Sequence, residues 1–481
     1  MTSHSGDHLK QGEWLQARAI RQLLQHQWLG VAVALTCTGL AAATTVLVFK
    51  LGIDAVGSWR IGLLKQGPAW FVLSASGAVG GLVAGLLIQS LAPSAAGSGI
   101  TQVMLFLRKR TVPIGLRVAM VKLVSGIAAI ASGFPLGPSG PSIQMGSAMA
   151  WSLARWLRAP QAFVRVIVAA GGGAGIAAVF SAPIGGFFYT LEALLRGSRP
   201  LVMLIVLSVT FWTDIWADLL GLAGLGVDLL PATNLDSSGE LPLKRTIAVL
   251  VEVLPIDLLL LFGLGGVIAL LAEGYCRYLL KLQALSDSWQ QPLAVKLALA
   301  GGLLGLVDAF LPDAFVNDAA LRLSVASREI DLTMAMAVAV VLFLTTGLAA
   351  AVGAPGGLFA PMLTLGGAFG MVAVELVQLT GINAPDTAVF AGMGAFLAAT
   401  ARTPITALFL VFALSKEWLL LKPVLSACLG SVLVARALAR ESLFERLIHL
   451  SPDGGSSWSA ITHAPPPSSV PLRPRLGEQE G

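Results

Sequence analysis

The chain has 481 residues, of which 56% are hydrophobic and only 12% charged, and its mean hydropathy is +0.81. Soluble domains carry about 25% charged residues, so this chain cannot clothe a water-soluble surface of its size. Disorder, a collagen-like fibre and a disulfide scaffold are excluded as well, which leaves a helical protein that crosses a membrane many times. The formal charge of +5 comes with no basic stripe interleaved with aromatics, so no nucleic-acid partner is expected.

Residues 1–27 are polar and mixed in charge, without the basic start and small-residue cleavage site of a signal peptide. Lys10, Arg18 and Arg21 precede the first apolar run, which favours a cytoplasmic N-terminus. Apolar runs follow near 28–49, 70–91, 117–133, 164–180, 200–222, 255–281, 292–311, 332–352, 362–380 and 403–421. Several fall short of the ~20 residues needed to cross a bilayer. Glycine and proline interrupt them, as in broken or re-entrant helices whose exposed backbone is covered by protein or lines a cavity. Arg108-Lys109-Arg110 reads as a solvated cytoplasmic loop. Cys37, Cys276 and Cys428 lie far apart in or beside apolar runs, so neither a disulfide framework nor a metal site is expected, and no cofactor is implied. The tail from 451 to 481 is rich in proline and serine and reads as disordered.

The two halves echo each other. Gly137-Pro-Ser-Gly-Pro141 corresponds to Gly357-Leu-Phe-Ala-Pro361, 220 residues on (357 − 137). Gly171 to Phe188 corresponds to Gly392 to Phe409, 221 residues on (392 − 171), with Pro183/Pro404 and Phe188/Phe409 among the identities. The expected organisation is a first membrane repeat over 28–225, a connection over 226–247 and a second repeat over 248–450. Broken segments at corresponding places in two halves point to a transporter-type fold whose site lies at the repeat interface.

Three segments place a glycine-rich turn before an apolar helix: Gly97-Ser-Gly-Ile100, Gly137 to Pro141, and Gly356 to Pro361. A helix begun there leaves its first N–H groups without intrahelical partners. Such an end carries about half a positive charge and favours an anion. Several ends converging inside a membrane would hold a halide without a fixed full charge, and no Lys or Arg lies within the three motifs. The plainer reading is that these glycines only let helices pack closely.

These motifs resemble those of the CLC chloride channels and chloride/proton antiporters, and the likeness extends over roughly 28–450. Gly97-Ser-Gly-Ile100 is similar to the family's GSGIP motif, with Thr101 where proline is usual. Gly137 to Pro141 is similar to GxEGP, and Gly357 to Pro361 to GxFxP. The resemblance implies an all-α polytopic protein built as an inverted repeat with broken and re-entrant helices. It also implies a homodimer in which each subunit has its own anion path, residing in the cell's inner membrane with the lipid bilayer as its surroundings; the tail over 451–481 is too short for a regulatory domain, so no CBS domains are expected there. In this pattern Ser98 offers a hydroxyl to the anion, and Gly99, Leu358 and Phe359 form the rest of its surroundings, the last two through backbone N–H groups. Phe444 stands where the family has a tyrosine whose hydroxyl also touches the anion.

Two departures bear on mechanism. The outer gating glutamate of GxEGP is replaced by Ser139, followed by Gly140, and the inner proton-relay position falls at Ala193, beside Glu192. Neither serine nor alanine titrates in the physiological range. Passive, channel-like or uncoupled chloride conduction is therefore the expected activity. Alternatives are a chloride/proton antiporter with Glu192 as relay, or transport of another small anion such as nitrate. No enzymatic activity is expected. Gly137-Pro-Ser139-Gly also fits the GxSG motif of rhomboid intramembrane proteases, but such chemistry needs a histidine base. The five histidines, at 4, 8, 26, 449 and 463, lie outside the interiors of the apolar runs.

Overall fold

A computed structural model of the chain describes residues 28–108, 110, 112–197, 199–221, 255–311, 318–326, 330–379, 385 and 387–450. The N-terminal segment, the connection over 226–247 and the tail lie outside the described residues. Within them the regular structure is helical: α1 (Trp28–Leu63), α2 (Ala69–Leu91), α3 (Ile100–Leu107), α4 (Leu116–Ala131), α5 (Ser139–Trp156), α6 (Gln161–Phe180), α7 (Pro183–Tyr189) and α8 (Pro200–Leu220). The second half runs α9 (Pro255–Ser288), α10 (Leu293–Asp308), α11 (Asp318–Ala326), α12 (Leu332–Ala351), α13 (Phe359–Gln378), α14 (Ala388–Ala401), α15 (Pro404–Ser415) and α16 (Leu421–Leu438), with α17 (Leu443–Leu450) beyond. Eight helices among the described residues are long and apolar enough to cross a membrane. At 1.5 Å per residue, α14 and α15, with 14 and 12 residues, fall well short of a hydrocarbon core of about 30 Å.

Several elements differ from the apolar runs. The first run continues as α1 to Leu63 through Lys50, Asp54 and Arg60. Arg60 is 4% exposed and donates to the Ser132 carbonyl at 2.7 Å, so this charge is carried inside the protein instead of ending the helix. α5 and α14 had no run of their own. α5 is broken up by Ser, Gln and Gly yet buried from Ser139 to Ala150 but for Met149, because it faces protein where small and polar residues are needed for close packing. The expected 403–421 run is α15 followed by a break at Lys416 and a fresh helix, α16. Arg108 is exposed, as the reading of a solvated loop expects, and is also held to another element. It pairs with Glu445 of α17 at 2.9 Å.

Backbone geometry repeats from one half to the other. Gly133 and Gly353 both have positive φ (110° and 82°), as do Ser181 and Arg402 (48° and 61°) and Arg196 and Lys416 (both 55°). Ala182 and Thr403, each just before the proline that opens a helix, have φ/ψ of −132°/73° and −126°/72°. The spacing is 221 residues at Pro183 and Pro404 (404 − 183) but 220 at Arg196 and Lys416 (416 − 196). The missing residue is accounted for by one wide turn: α7 passes into π-helical winding over Thr190–Leu195, whereas α15 stays α-helical to Ser415. A π turn absorbs one inserted residue without breaking the helix, and such turns gather at functional sites.

At the centre lie the equivalents α6 and α14, nearly all of whose residues are buried. Each packs backbone to backbone with the helix before it. A Cβ on Gly171 would lie 2.7 Å from the Ala150 Cβ and collide with the Gly146 carbonyl, and one on Gly392 would lie 2.9 Å from the Gly370 Cα and collide with the Gly366 carbonyl. The periphery carries the opposite signature. α1, α2, α8, α9 and α10 expose Trp59, Trp70, Phe71, Phe211, Leu259 and Leu299 in an apolar surface that suits lipid.

Candidate functional site

The two corresponding motifs meet. The Gly137 N–H donates to the Gly357 carbonyl at 2.7 Å, and the Gly357 N–H donates back to Gly137 at 2.6 Å, an antiparallel pair. This clasp sets the starts of α5 and α13 side by side. The first motif joins them from the other side, where the Gly97 N–H donates to the Gly353 carbonyl at 2.8 Å. A Cβ at Gly140 would collide with the Ser98 carbonyl oxygen and stand 2.9 Å from the Gly357 Cα. Glycine is thus required at Gly140 for a three-way backbone approach, and packing and anion-binding readings make the same demand on it. Gly99 holds φ 89°, the left-handed conformation glycine adopts without cost, and turns the chain into α3.

Three buried helix starts result: Ile100 of α3, Ser139 of α5 and Phe359 of α13, each 0% exposed. None has a side-chain cap: the residues preceding them, Gly99, Pro138 and Leu358, offer only their backbone carbonyls, which accept from Val103, Ser142 and Met362. Buried N–H groups without partners are costly unless a ligand or water meets them, so these ends favour a partner with negative charge.

Side chains on other elements hold the loops. Lys122 of α4 is fully buried and donates to the carbonyls of Ala95 (2.9 Å) and Gly97. Gln102 donates to the Ala96 carbonyl at 2.8 Å and Gln144 to the Ser94 carbonyl at 2.7 Å. Lys122 was missed as a site residue because it lies outside the motifs. Its signal was there, an ionisable residue in the interior of the apolar run 117–133, five residues beyond Arg117 at its start.

Ser98 is half-buried and lines a cavity of about 640 Å3 together with Gln102, Gly356 and Leu358. Its walls also carry Gln283, Asp287, Gln290 and Lys296, between α9 and α10, and Leu447 and Ile448 of α17. Ser139, Phe359 and Phe444 are not among its lining residues. The Ser139 hydroxyl is sealed against Gly357 and has no hydrogen-bond partner among the described residues. Phe444 is 3% exposed, with its ring 6.0 Å from that of Phe359. Its helix is fixed by a capping box in which Ser442 and Glu445 bond each other's backbone N–H (3.1 and 3.3 Å). Glu445 also pairs with Arg108 and Arg196, tying α17 to α3 and to the end of the π turn.

Glu192 is engaged elsewhere. Its carboxylate accepts from the backbone N–H of Ile405 (3.1 Å) and Thr406 (2.9 Å) and from the Thr406 hydroxyl (2.6 Å), all in the first turn of α15. It caps a helix of the opposite half, the role a carboxylate fills best at an N-terminus. Ala193, next to it, is half-buried against the core. The structure therefore brings Ser98, Gly99, Ser139, Gly140, Leu358, Phe359 and Phe444 together and sets Glu192 at a separate helix start.

The chain matches the family described as voltage gated chloride channel over residues 80–436. It belongs to that family. Among its relatives, the H(+)/Cl(−) exchange transporter ClcA of Vibrio parahaemolyticus is 29% identical over 433 residues, covering 87% of this chain and 89% of that protein. The protein of the same name from Citrobacter koseri is 29% identical over 454 residues, 89% of this chain and 90% of that one. A crystal structure of a slow cyanobacterial Cl−/H+ antiporter superposes with a TM-score of 0.77 at 25% identity, covering 88% of this chain and 97% of the other. A eukaryotic CLC transporter shares the fold at 20% identity, TM-score 0.71. As a CLC protein the chain is an integral multi-pass membrane protein of an anion-transporting family, and that family is one of transporters and channels, not of enzymes.

Proposed function

We propose that this CLC protein conducts chloride passively, as a channel or uncoupled transporter, in contrast to the relatives named as H(+)/Cl(−) exchangers. The observation that carries the proposal is Ser139, the first residue of α5, buried where the Gly137–Gly357 clasp joins two uncapped helix starts. A side chain here stands at the junction of the α5 and α13 starts, and coupling of proton to anion needs one that changes charge. A hydroxyl does not ionise in the working range and cannot leave or enter in answer to a proton.

The anion enters the cavity at its Gln283–Lys296 end and reaches Ser98, whose hydroxyl donates to it. Gly99 gives it room. The backbone N–H groups of Leu358 and Phe359 and the start of α5 at Ser139 and Gly140 supply partial positive charge. Partial charges hold an ion firmly enough to strip its water yet let it leave, which a full charge at contact would prevent. Lys122 stands one layer back, bonded to the carbonyls behind Ser98. Phe444 lends an apolar wall without a hydroxyl. Ala193 carries no proton, and Glu192, with three hydrogen bonds at the start of α15, acts as a cap, not as a relay. Nitrate, planar and singly charged, competes for the same donors. The working unit is a homodimer with one path per subunit, in the inner membrane with residues 1–27 on the cytoplasmic side.

The test is chloride efflux from liposomes holding the purified protein, with external pH recorded. Chloride leaves at a rate indifferent to an imposed pH gradient, and no proton moves against its gradient. Proton uptake in fixed ratio to chloride would overturn the proposal.

A further inference from the structure

The chain has three tyrosines. Tyr275 shares a hydrogen bond with the Thr346 hydroxyl at 3.0 Å, and Tyr278 donates to the Leu344 carbonyl at 3.1 Å. Tyr189 differs. It is 1% exposed, and its hydroxyl has no hydrogen-bond partner among the described residues. A buried hydroxyl left unpaired is destabilising, and natural cores seldom keep one without a reason. Phenylalanine would fill the same space without that cost.

The surroundings of Tyr189 supply a reason. Its ring sits edge-to-face on Phe359, centroids 5.5 Å apart at 80°, and Phe359 in turn meets Phe444 at 6.0 Å. The three rings form one row around the first residue of α13, the helix start clasped to Ser139. One end of the row, Phe444, has no hydroxyl. The other end, Tyr189, has one that no described residue uses. The winding changes at this point: the π turn begins at Thr190, immediately after Tyr189. It carries the one residue that α7 has beyond α15, and it lets Glu192 cap α15 while Tyr189 faces Phe359.

We propose that Tyr189 supplies the phenolic hydrogen-bond donor of the anion path, from α7, in place of the hydroxyl that α17 lacks at Phe444. The ligand it takes is a small, singly charged inorganic anion, accepting from the phenolic O–H while the α13 start contributes backbone N–H groups. This assignment rests on the anion-conduction reading above and adds a residue to it.

The experiment titrates chloride into the purified full-length protein by calorimetry, for wild type, Tyr189→Phe, Ser98→Ala and the double substitution Tyr189→Phe/Phe444→Tyr. A hydrogen bond to a charged group is strong enough that its loss weakens chloride binding roughly tenfold or more. Tyr189→Phe is expected to bind that much more weakly while melting no lower than wild type, and Phe444→Tyr is expected to restore much of the loss. Wild-type affinity in Tyr189→Phe overturns the assignment while leaving anion conduction standing. Absence of chloride binding in the wild type overturns the conduction reading and the assignment with it. Should Tyr189→Phe fail to fold, chloride-minus-gluconate infrared difference spectra of the wild type decide. A shifted tyrosine C–O band is expected on adding chloride, and its absence overturns the assignment.

Discussion

Replacing Ser139 by glutamate tests the path where three motifs meet. The Ser139 side chain is buried at the start of α5, beside Gly357 and hence beside the start of α13. An ionised carboxylate there would compete with the permeating anion for two uncapped helix ends. Each end stabilises a nearby negative charge by up to about 1 kcal/mol, so the pair contributes about 2 kcal/mol, or close to 30-fold in occupancy. The sign follows directly. Above the ordinary glutamate pKa of about 4.3 the side chain is charged, occupies the ends and blocks the anion; below it the side chain is neutral and withdraws. Chloride efflux through Ser139→Glu should therefore fall at least tenfold at about pH 7.5 and recover only as the pH falls below about 4, because the helix ends that favour the carboxylate also lower the pH at which it takes up a proton. Ser139→Gln, of the same size without the charge, separates electrostatics from bulk and should show a flat pH profile. Equal fluxes through the Glu and Gln variants at every pH would refute the reasoning, because Ser139 would then not face the anion.

Other expectations follow from the same contacts. Gly140→Ala drives a methyl against the Ser98 carbonyl and the Gly357 Cα; overpacking of this kind costs about 1–3 kcal/mol, seen as a lower melting temperature together with reduced flux. Lys122→Met leaves the Ala95 and Gly97 carbonyls without their donor, a loss of about 2 kcal/mol in stability and weaker chloride binding by calorimetry. Glu192→Gln should lower the melting temperature modestly, by about 1 kcal/mol of lost capping, and leave the reversal potential unchanged. A change in proton coupling in that variant would make Glu192 a relay after all.

The glycine- and proline-rich motifs were legible because they answer to backbone geometry. Gly99 sits in the left-handed region, Gly140 is needed for a three-way approach, and Pro183 and Pro404 open helices with matching dihedrals. The repeat was legible for the same reason, but the one-residue change in spacing between Pro183 and Arg196 that the π turn absorbs was not, because it lies beyond the last matching residue, Phe188. Hydropathy located the lipid-facing helices but not α5, whose Ser, Gln and Gly residues face protein and carry no apolar signal. Long-range pairing was not legible. Nothing local ties Arg108 to Glu445, Lys122 to Gly97 or Glu192 to Thr406, because each contact depends on two segments meeting in space. The Tyr189 hydroxyl belongs with these: only its lack of a partner in a packed interior marks it, and burial is a property of the assembled fold.

The reversal potential of the reconstituted protein under opposed chloride and proton gradients tests the central claim most directly. Uncoupled conduction through Ser98, Ser139 and the α13 start predicts a potential equal to that of chloride at every imposed pH difference. A potential that moves with the pH gradient in a fixed chloride-to-proton ratio would contradict it.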